Sequence, residues 1–245
     1  MSANVYNFNL VKDRLLKFVS RGEFYIAEAL CRPKKDGEST LGGSTNNHTR
    51  MVKMWAIYSI EDWDRLEGEM ESVCDANNAR LYFLPQPRTT YAAMKSIMST
   101  ALANLDNERV NFNRFLTSSL CGLHDSPRKR WVLDIDWDDP TLSKWVRENE
   151  PEKAGTVMVE VDSAASKVLA NVCERVVACG TGTVEDVVFL PTANGVHIVT
   201  PPFSPVASPK INLPPMPQPW NPEWMKKDAM TLVYTPNHTS EEQDL

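Results

Sequence analysis

In the segment Trp131-Val-Leu-Asp-Ile-Asp-Trp-Asp-Asp139 an apolar run carries two aspartates two residues apart. Side chains alternate faces along an extended strand, so Asp134 and Asp136 point one way and Leu133 and Ile135 the other. Two adjacent carboxylates repel, and burying either without a partner is costly. A divalent cation relieves both penalties. The pair therefore reads as a metal-ligating D-x-D motif at a strand end, with Asp138 or Asp139 as helpers. The plain alternative is a strand whose solvent face happens to be acidic. A calcium loop is excluded, because its sixth position asks for glycine and its twelfth for glutamate, and this chain has Asp139 and Trp145 there.

A second constellation lies downstream, where Thr192, Asn194, Gly195 and His197 surround a tight turn between two apolar runs. Backbone N–H groups, a hydroxyl and an imidazole in one turn suit a phosphate. An ordinary hairpin with Asn-Gly at its corner reads the same way. Asp228, after Lys226 and Lys227 and just before a final apolar run, offers a third carboxylate; otherwise it is a polar residue leading into a strand.

Nucleic-acid binding needs a local basic patch, because the net charge is -6 and the pI about 5.3. Arg80, Arg88, Lys95, Arg128, Lys129 and Arg130 are the candidates for a phosphate-tracking groove. A solvated charged surface is the competing explanation. Tyr82, Phe83, Tyr91, Trp131 and Trp137 include potential stacking platforms for bases, or belong to the core. Other chemistries lack their motifs. There is no G-x-S-x-G elbow, P-loop or G-x-G-x-x-G.

These residues need a scaffold. A length of 245 residues, 42% hydrophobic and 24% charged, fits one large globular domain or two packed units. The five cysteines form no CxxC pair, which points to reduced intracellular thiols and a cytoplasmic protein. No apolar stretch reaches membrane-spanning length. Apolar spacing predicts a helix over 8–20, a strand over 23–31, a mobile loop over 33–49 and a strand over 54–59. It predicts a helix over 61–76, a strand over 80–84 and a helix over 90–105. That alternation is a βαβα unit with a partly parallel sheet. In the second half, strands are expected at 131–136, 156–161, 187–190, 196–200 and 231–235, with a helix over 164–179. Residues 201–222 hold nine of the 17 prolines and are expected to be irregular. The division is 1–125 and 126–245, either as two units or as one continuous domain.

The order of these motifs resembles the archaeo-eukaryotic primase superfamily, the primase-polymerases. Its first motif is hDhD or hDhE, with h apolar, and Asp134 and Asp136 match it. Its second is a small-residue turn of the s-x-G-x-H type, matched by Asn194, Gly195 and His197. Its third is an apolar residue followed by Asp, where this chain has Lys227 and Asp228. Two further departures are Thr192 or Asn194 in place of the usual serine and the lack of a zinc-binding cluster. The resemblance spans roughly residues 130–235 and looks like a compact phage or plasmid member.

What the resemblance implies is an α/β (α+β) fold, with an N-terminal βαβα unit packed on a C-terminal RRM-like unit. It implies a nucleotidyltransferase that uses Mg²⁺ or Mn²⁺ held between Asp134, Asp136 and Asp228. The Thr192–Gly195 turn and His197 would then hold the triphosphate of a nucleoside triphosphate. The nucleic-acid partner would be single-stranded or primed. Two other classes stay open: a non-catalytic nucleotide- or nucleic-acid-binding accessory protein of the same fold, and a metal-dependent nuclease.

Overall fold

The computed structural model describes residues 4–31, 49–104, 106, 126, 128–153, 157–208, 213–227 and 229–236; along 157–162 it describes the backbone alone. The loop expected at 33–49 therefore lies, but for Thr49, outside the described residues, as do Asp228 and the acidic tail.

The fold is mixed α/β, with two four-stranded antiparallel sheets. The first sheet contains β1 (Glu23–Cys31), β2 (Arg50–Ile57), β3 (Arg80–Thr89) and β8 (Thr231–Tyr234), in the order β2-β1-β3-β8. The partly parallel sheet expected from the alternation is not formed. Helix α2 (Ile60–Asn77) does carry β2 across to β3, and those two strands run in the same direction. However, β1 is inserted between them and pairs antiparallel with both, which makes a split β-α-β unit.

Local sequence explains the limits of α2. Ser59 caps its start by accepting from the Asp62 amide at 3.1 Å, and Asn78 ends it in the left-handed conformation at φ 48°. Its buried stripe is Trp63, Met70 and Cys74. With Phe8 and Val11 of α1 (Phe8–Arg14), this stripe covers the sheet face formed by Tyr25, Ala27, Leu81 and Phe83. The other face, at Phe24, Ile26 and Leu84, meets Ala93 of α3 (Thr90–Ala103). The helix expected over 8–20 stops at Arg14, and the Lys17 carbonyl instead accepts from the Tyr25 hydroxyl at 3.1 Å and from Arg128.

The second sheet contains β4 (Trp131–Asp136), β5 (Val188–Pro191), β6 (Gly195–Thr200) and β7 (Met225–Lys226), in the order β5-β6-β4-β7. Leu133, Ile135, Val196 and Ile198 form one face and pack on two helices. Helix α4 (Pro140–Asn149) supplies Leu142 and Val146, and helix α5 (Val157–Ala178) supplies Ala165, Val168, Val172 and Val176. Each Leu or Val fully buried there contributes about 1.5–3 kcal/mol.

Of the strand expected at 156–161, residues 157–161 are the first part of α5 instead, and Thr156 lies outside the described residues. Alternating valines favour an extended chain there, but the stretch runs straight into the helical stripe that begins at Ala164. Extending a formed helix adds a hydrogen bond per residue without a new nucleus. Of the segment expected to be irregular, residues 201–208 and 213–221 lack helix and extended strand, yet they deliver Phe203, Met216 and Trp220 to this core.

The opposite face of the second sheet turns toward the first. Val132, Val188, Leu190 and Val199 share one core with Tyr25, Phe83 and Val233. Strand β8, from the end of the chain, completes the first sheet rather than the second. No described helix is long and apolar enough to cross a membrane.

Candidate metal and phosphate site

Strand β4 occupies the residues expected of it, and its alternation is sharp. Leu133 and Ile135 are fully buried against the helices, while Asp134 and Asp136 lie on the opposite face and are exposed. The antiparallel ladder sets Asp134 directly opposite His197 and Asp136 directly opposite Gly195. The two sequence motifs, some sixty residues apart, thus meet on adjacent strands.

His197 is 9% exposed. Its Nε2 lies 3.1 Å from Asp134 Oδ1 and its Nδ1 lies 3.0 Å from Thr231 Oγ1. An ionised carboxylate only accepts, so Nε2 carries its proton toward Asp134. Nδ1 then accepts from the Thr231 hydroxyl in the neutral ring, or donates to it in the charged ring. Thr231 is fully buried and opens β8 of the first sheet. His197 is therefore a strut between the two sheets that fixes one oxygen of Asp134. The Asp134 side chain remains 48% exposed, so the carboxylate is held but reachable from solvent. Thr231, a lone threonine at a strand start, belongs to no local motif.

Gly195 is explained by space rather than by torsion. A Cβ on it would sit 2.1 Å from the Ile135 carbonyl oxygen and 2.9 Å from Asp136 Cα. Among the described residues, left-handed backbone occurs at Gly22, Gly180 and Asn78, and not at Asn194 or Gly195. The connection is accordingly the three-residue loop 192–194 and not the two-residue Asn-Gly turn with positive φ. Its backbone is partly committed. Thr192 N–H donates to the Gly195 carbonyl at 2.9 Å, and Trp137 N–H donates to the Asn194 carbonyl at 2.9 Å. The Thr192 amide is thereby withdrawn from any phosphate. Buried Asn7 holds the hairpin against β8, donating to the Pro191 carbonyl at 2.8 Å and the Leu232 carbonyl at 3.0 Å.

Asp139 is not available as a metal helper. Its Oδ1 accepts from the Thr141 amide at 2.7 Å, capping α4, and its Oδ2 accepts from Trp224 Nε1 at 2.6 Å. Burial pushes its pKa up, but these donors outweigh burial and hold the carboxyl below its ordinary value. Asp138 is exposed. Asp228 lies outside the described residues, and among those described no group of three or more His, Cys, Asp or Glu side chains gathers as a metal cage. Two oxygen-donating carboxylates nonetheless suit Mg²⁺ or Mn²⁺. Mg²⁺ keeps several waters and is commonly held by one or two carboxylates together with substrate phosphates.

Three of the six basic candidates are taken up in the interior or by carboxylates. Arg88 is 1% exposed, because β3 is a central strand covered on both faces. Arg128 binds Glu23 through both nitrogens, Nη1–Oε1 at 3.1 Å and Nη2–Oε2 at 2.8 Å. Burial would raise the Glu23 pKa, but the guanidinium and the Val19 amide outweigh it and hold the carboxyl below its usual range. Arg130 meets Asp186 at 3.2 Å, where the same balance keeps Asp186 ionised well into acid. Arg80 is half-buried, and Lys95 and Lys129 are exposed. Tyr82 and Phe83 are core residues, whereas Tyr91 is exposed. Compared with protein-family models, curated proteins and solved structures, the chain matches none of them.

Proposed function

We propose that this chain is a metal-dependent nucleotidyltransferase of primase-polymerase type. One observation carries the reading: two exposed carboxylates stand side by side at the end of β4, and a buried histidine on the next strand fixes the first of them. The second sheet shares with an RRM-like unit four antiparallel strands and two helices on one face, although both helices lie between β4 and β5 instead of one in each β-α-β crossover. Mg²⁺ or Mn²⁺ bound at Asp134 and Asp136 would supply charge neutralisation and activation of a hydroxyl nucleophile.

The residues of the chain supply position. His197 keeps Asp134 in one rotamer through Nε2 and is itself held by Thr231. This makes His197 a positioning residue for the carboxylate, in place of the direct triphosphate contact that its motif implies. Gly195 lets β6 approach Asp136 closely enough to align the second carboxylate. Asp228 is the proposed third carboxylate. Phosphoryl transfer depends mainly on such positioning and on charge.

The second reading is a non-catalytic nucleotide- or nucleic-acid-binding protein of the same fold. It is favoured by the commitment of Arg88, Arg128 and Arg130 to the interior or to carboxylates, which removes three of the six candidate phosphate contacts. Incubation with Mn²⁺, labelled nucleotides and primed or unprimed template separates the readings. Template-dependent extension is the expected result. Cleavage would indicate a nuclease, and neither reaction would leave the binding protein.

A further inference from the structure

The short strand β7 brings a charged residue to the carboxylate face that no motif marked. β7 pairs antiparallel with β4 through Val132↔Lys226 and Leu133↔Met225. Directly opposed residues in such a pair share a face. Val132 lies on the face of Asp134 and Asp136, two and four residues further along β4. Lys226 is therefore on that face as well, and it is exposed. Its neighbours confirm the parity. Met225 packs with Leu133 in the core against α4 and α5. Lys227 returns to that side, its Nζ 5.4 Å from the centre of the Trp131 ring. Of two consecutive lysines, one covers a tryptophan and the other flanks the carboxylates.

Lys226 and Asp134 stand in the diagonal relation across the ladder, about 7–8 Å between such positions. That is too far for β-carbons to touch and near enough for a lysine stem to reach a group placed over the carboxylates. Charge then selects the ligand. Asp134, Asp136 and Lys226 sum to one negative charge. A divalent cation turns the sum positive, and the site becomes attractive to a multiply charged anion. A lysine ammonium is a flexible point charge suited to phosphate oxygens.

We infer that Lys226 binds the triphosphate of the incoming nucleotide, opposite His197 across the central strand β4. This rests on reading Asp134 and Asp136 as the metal-binding pair. The probes are Mn²⁺ alone, ATP with Mn²⁺, and inorganic triphosphate with Mn²⁺, measured by equilibrium binding to the full chain. Lys226→Ala should weaken both phosphate probes by about tenfold or more, as expected for loss of a charged hydrogen bond. It should leave Tm unchanged and Mn²⁺ binding no weaker, since a positive charge beside the carboxylates has been removed. Lys226→Arg should retain most of the affinity, and Lys227→Ala should bind as the wild type does. If the wild type binds Mn²⁺ and ATP, and Lys226→Ala binds ATP equally well, the assignment of Lys226 falls while the metal site stands. A wild-type chain that binds neither Mn²⁺ nor triphosphate would overturn both.

Discussion

Asp134 and His197 face each other across the β4–β6 ladder, with Asp134 Oδ1 and His197 Nε2 3.1 Å apart. The histidine is buried and the carboxylate is half in solvent, so the pair joins the inter-sheet core to the surface. Removing the ring should therefore loosen the ligand without removing it. Outer-shell partners of this kind typically change metal affinity by about 10–100-fold. His197→Ala should weaken Mn²⁺ binding in that range. It should also cost about 1–3 kcal/mol of stability, because the buried Thr231 hydroxyl loses its partner. Unchanged Mn²⁺ affinity with a large fall in Tm would make His197 purely structural.

Gly195 and Gly68 make a paired test of whether space or torsion dictates glycine. A methyl group at 195 meets the Ile135 carbonyl at 2.1 Å, whereas at 68, inside α2, nothing lies within 4 Å. Gly195→Ala should destabilise by about 1–3 kcal/mol through overpacking. Gly68→Ala should stabilise by about 0.5–1 kcal/mol. Denaturant midpoints at constant slope decide it. A neutral Gly195→Ala would mean that β4 and β6 part easily beside Asp136.

How much of this was legible in the sequence depends on the distance over which each feature is specified. Strand β4 is written locally: apolar and acidic side chains alternate, and the strand was found at its expected limits. Helix α4 was missed because Lys144, Arg147 and Glu148 made its segment look merely charged, although Asp139, Pro140, Leu142 and Val146 are a cap, a first-turn proline and an i, i+4 core pair. Arg88 and Arg128 look identical to surface arginines until the strand order and Glu23 are known. Thr231 and Lys226 reach the site only through β8 and β7, and register between distant strands leaves no local pattern.

Acid should destabilise the fold through its interior ion pairs. The folded pKa values of Glu23 and Asp186 both lie below the ordinary carboxylate range. Such groups stabilise the fold above their unfolded values, about 4, and lose that contribution as pH falls through the folded values. Stability should therefore decline below about pH 4. Arg128→Ala should lower it by about 3 kcal/mol at neutral pH, because Glu23 is then left buried and charged. In that variant the acid dependence attributable to Glu23 should disappear or reverse. Urea midpoints between pH 3 and 7 for both proteins check this, and parallel curves would contradict it.

The most direct test of the central claim is Mn²⁺ binding by electron paramagnetic resonance, on the wild type, Asp134→Asn and Asp136→Asn. Each substitution removes charge and one ligand while keeping size. Bound Mn²⁺ in the wild type should weaken by about tenfold or more in either variant. The fold should be retained in both variants, because an asparagine at position 134 keeps an oxygen acceptor for His197 Nε2 and position 136 is exposed, and Tm checks this. Mn²⁺ bound equally by all three proteins, or by none, would contradict a metal-dependent site at the end of β4.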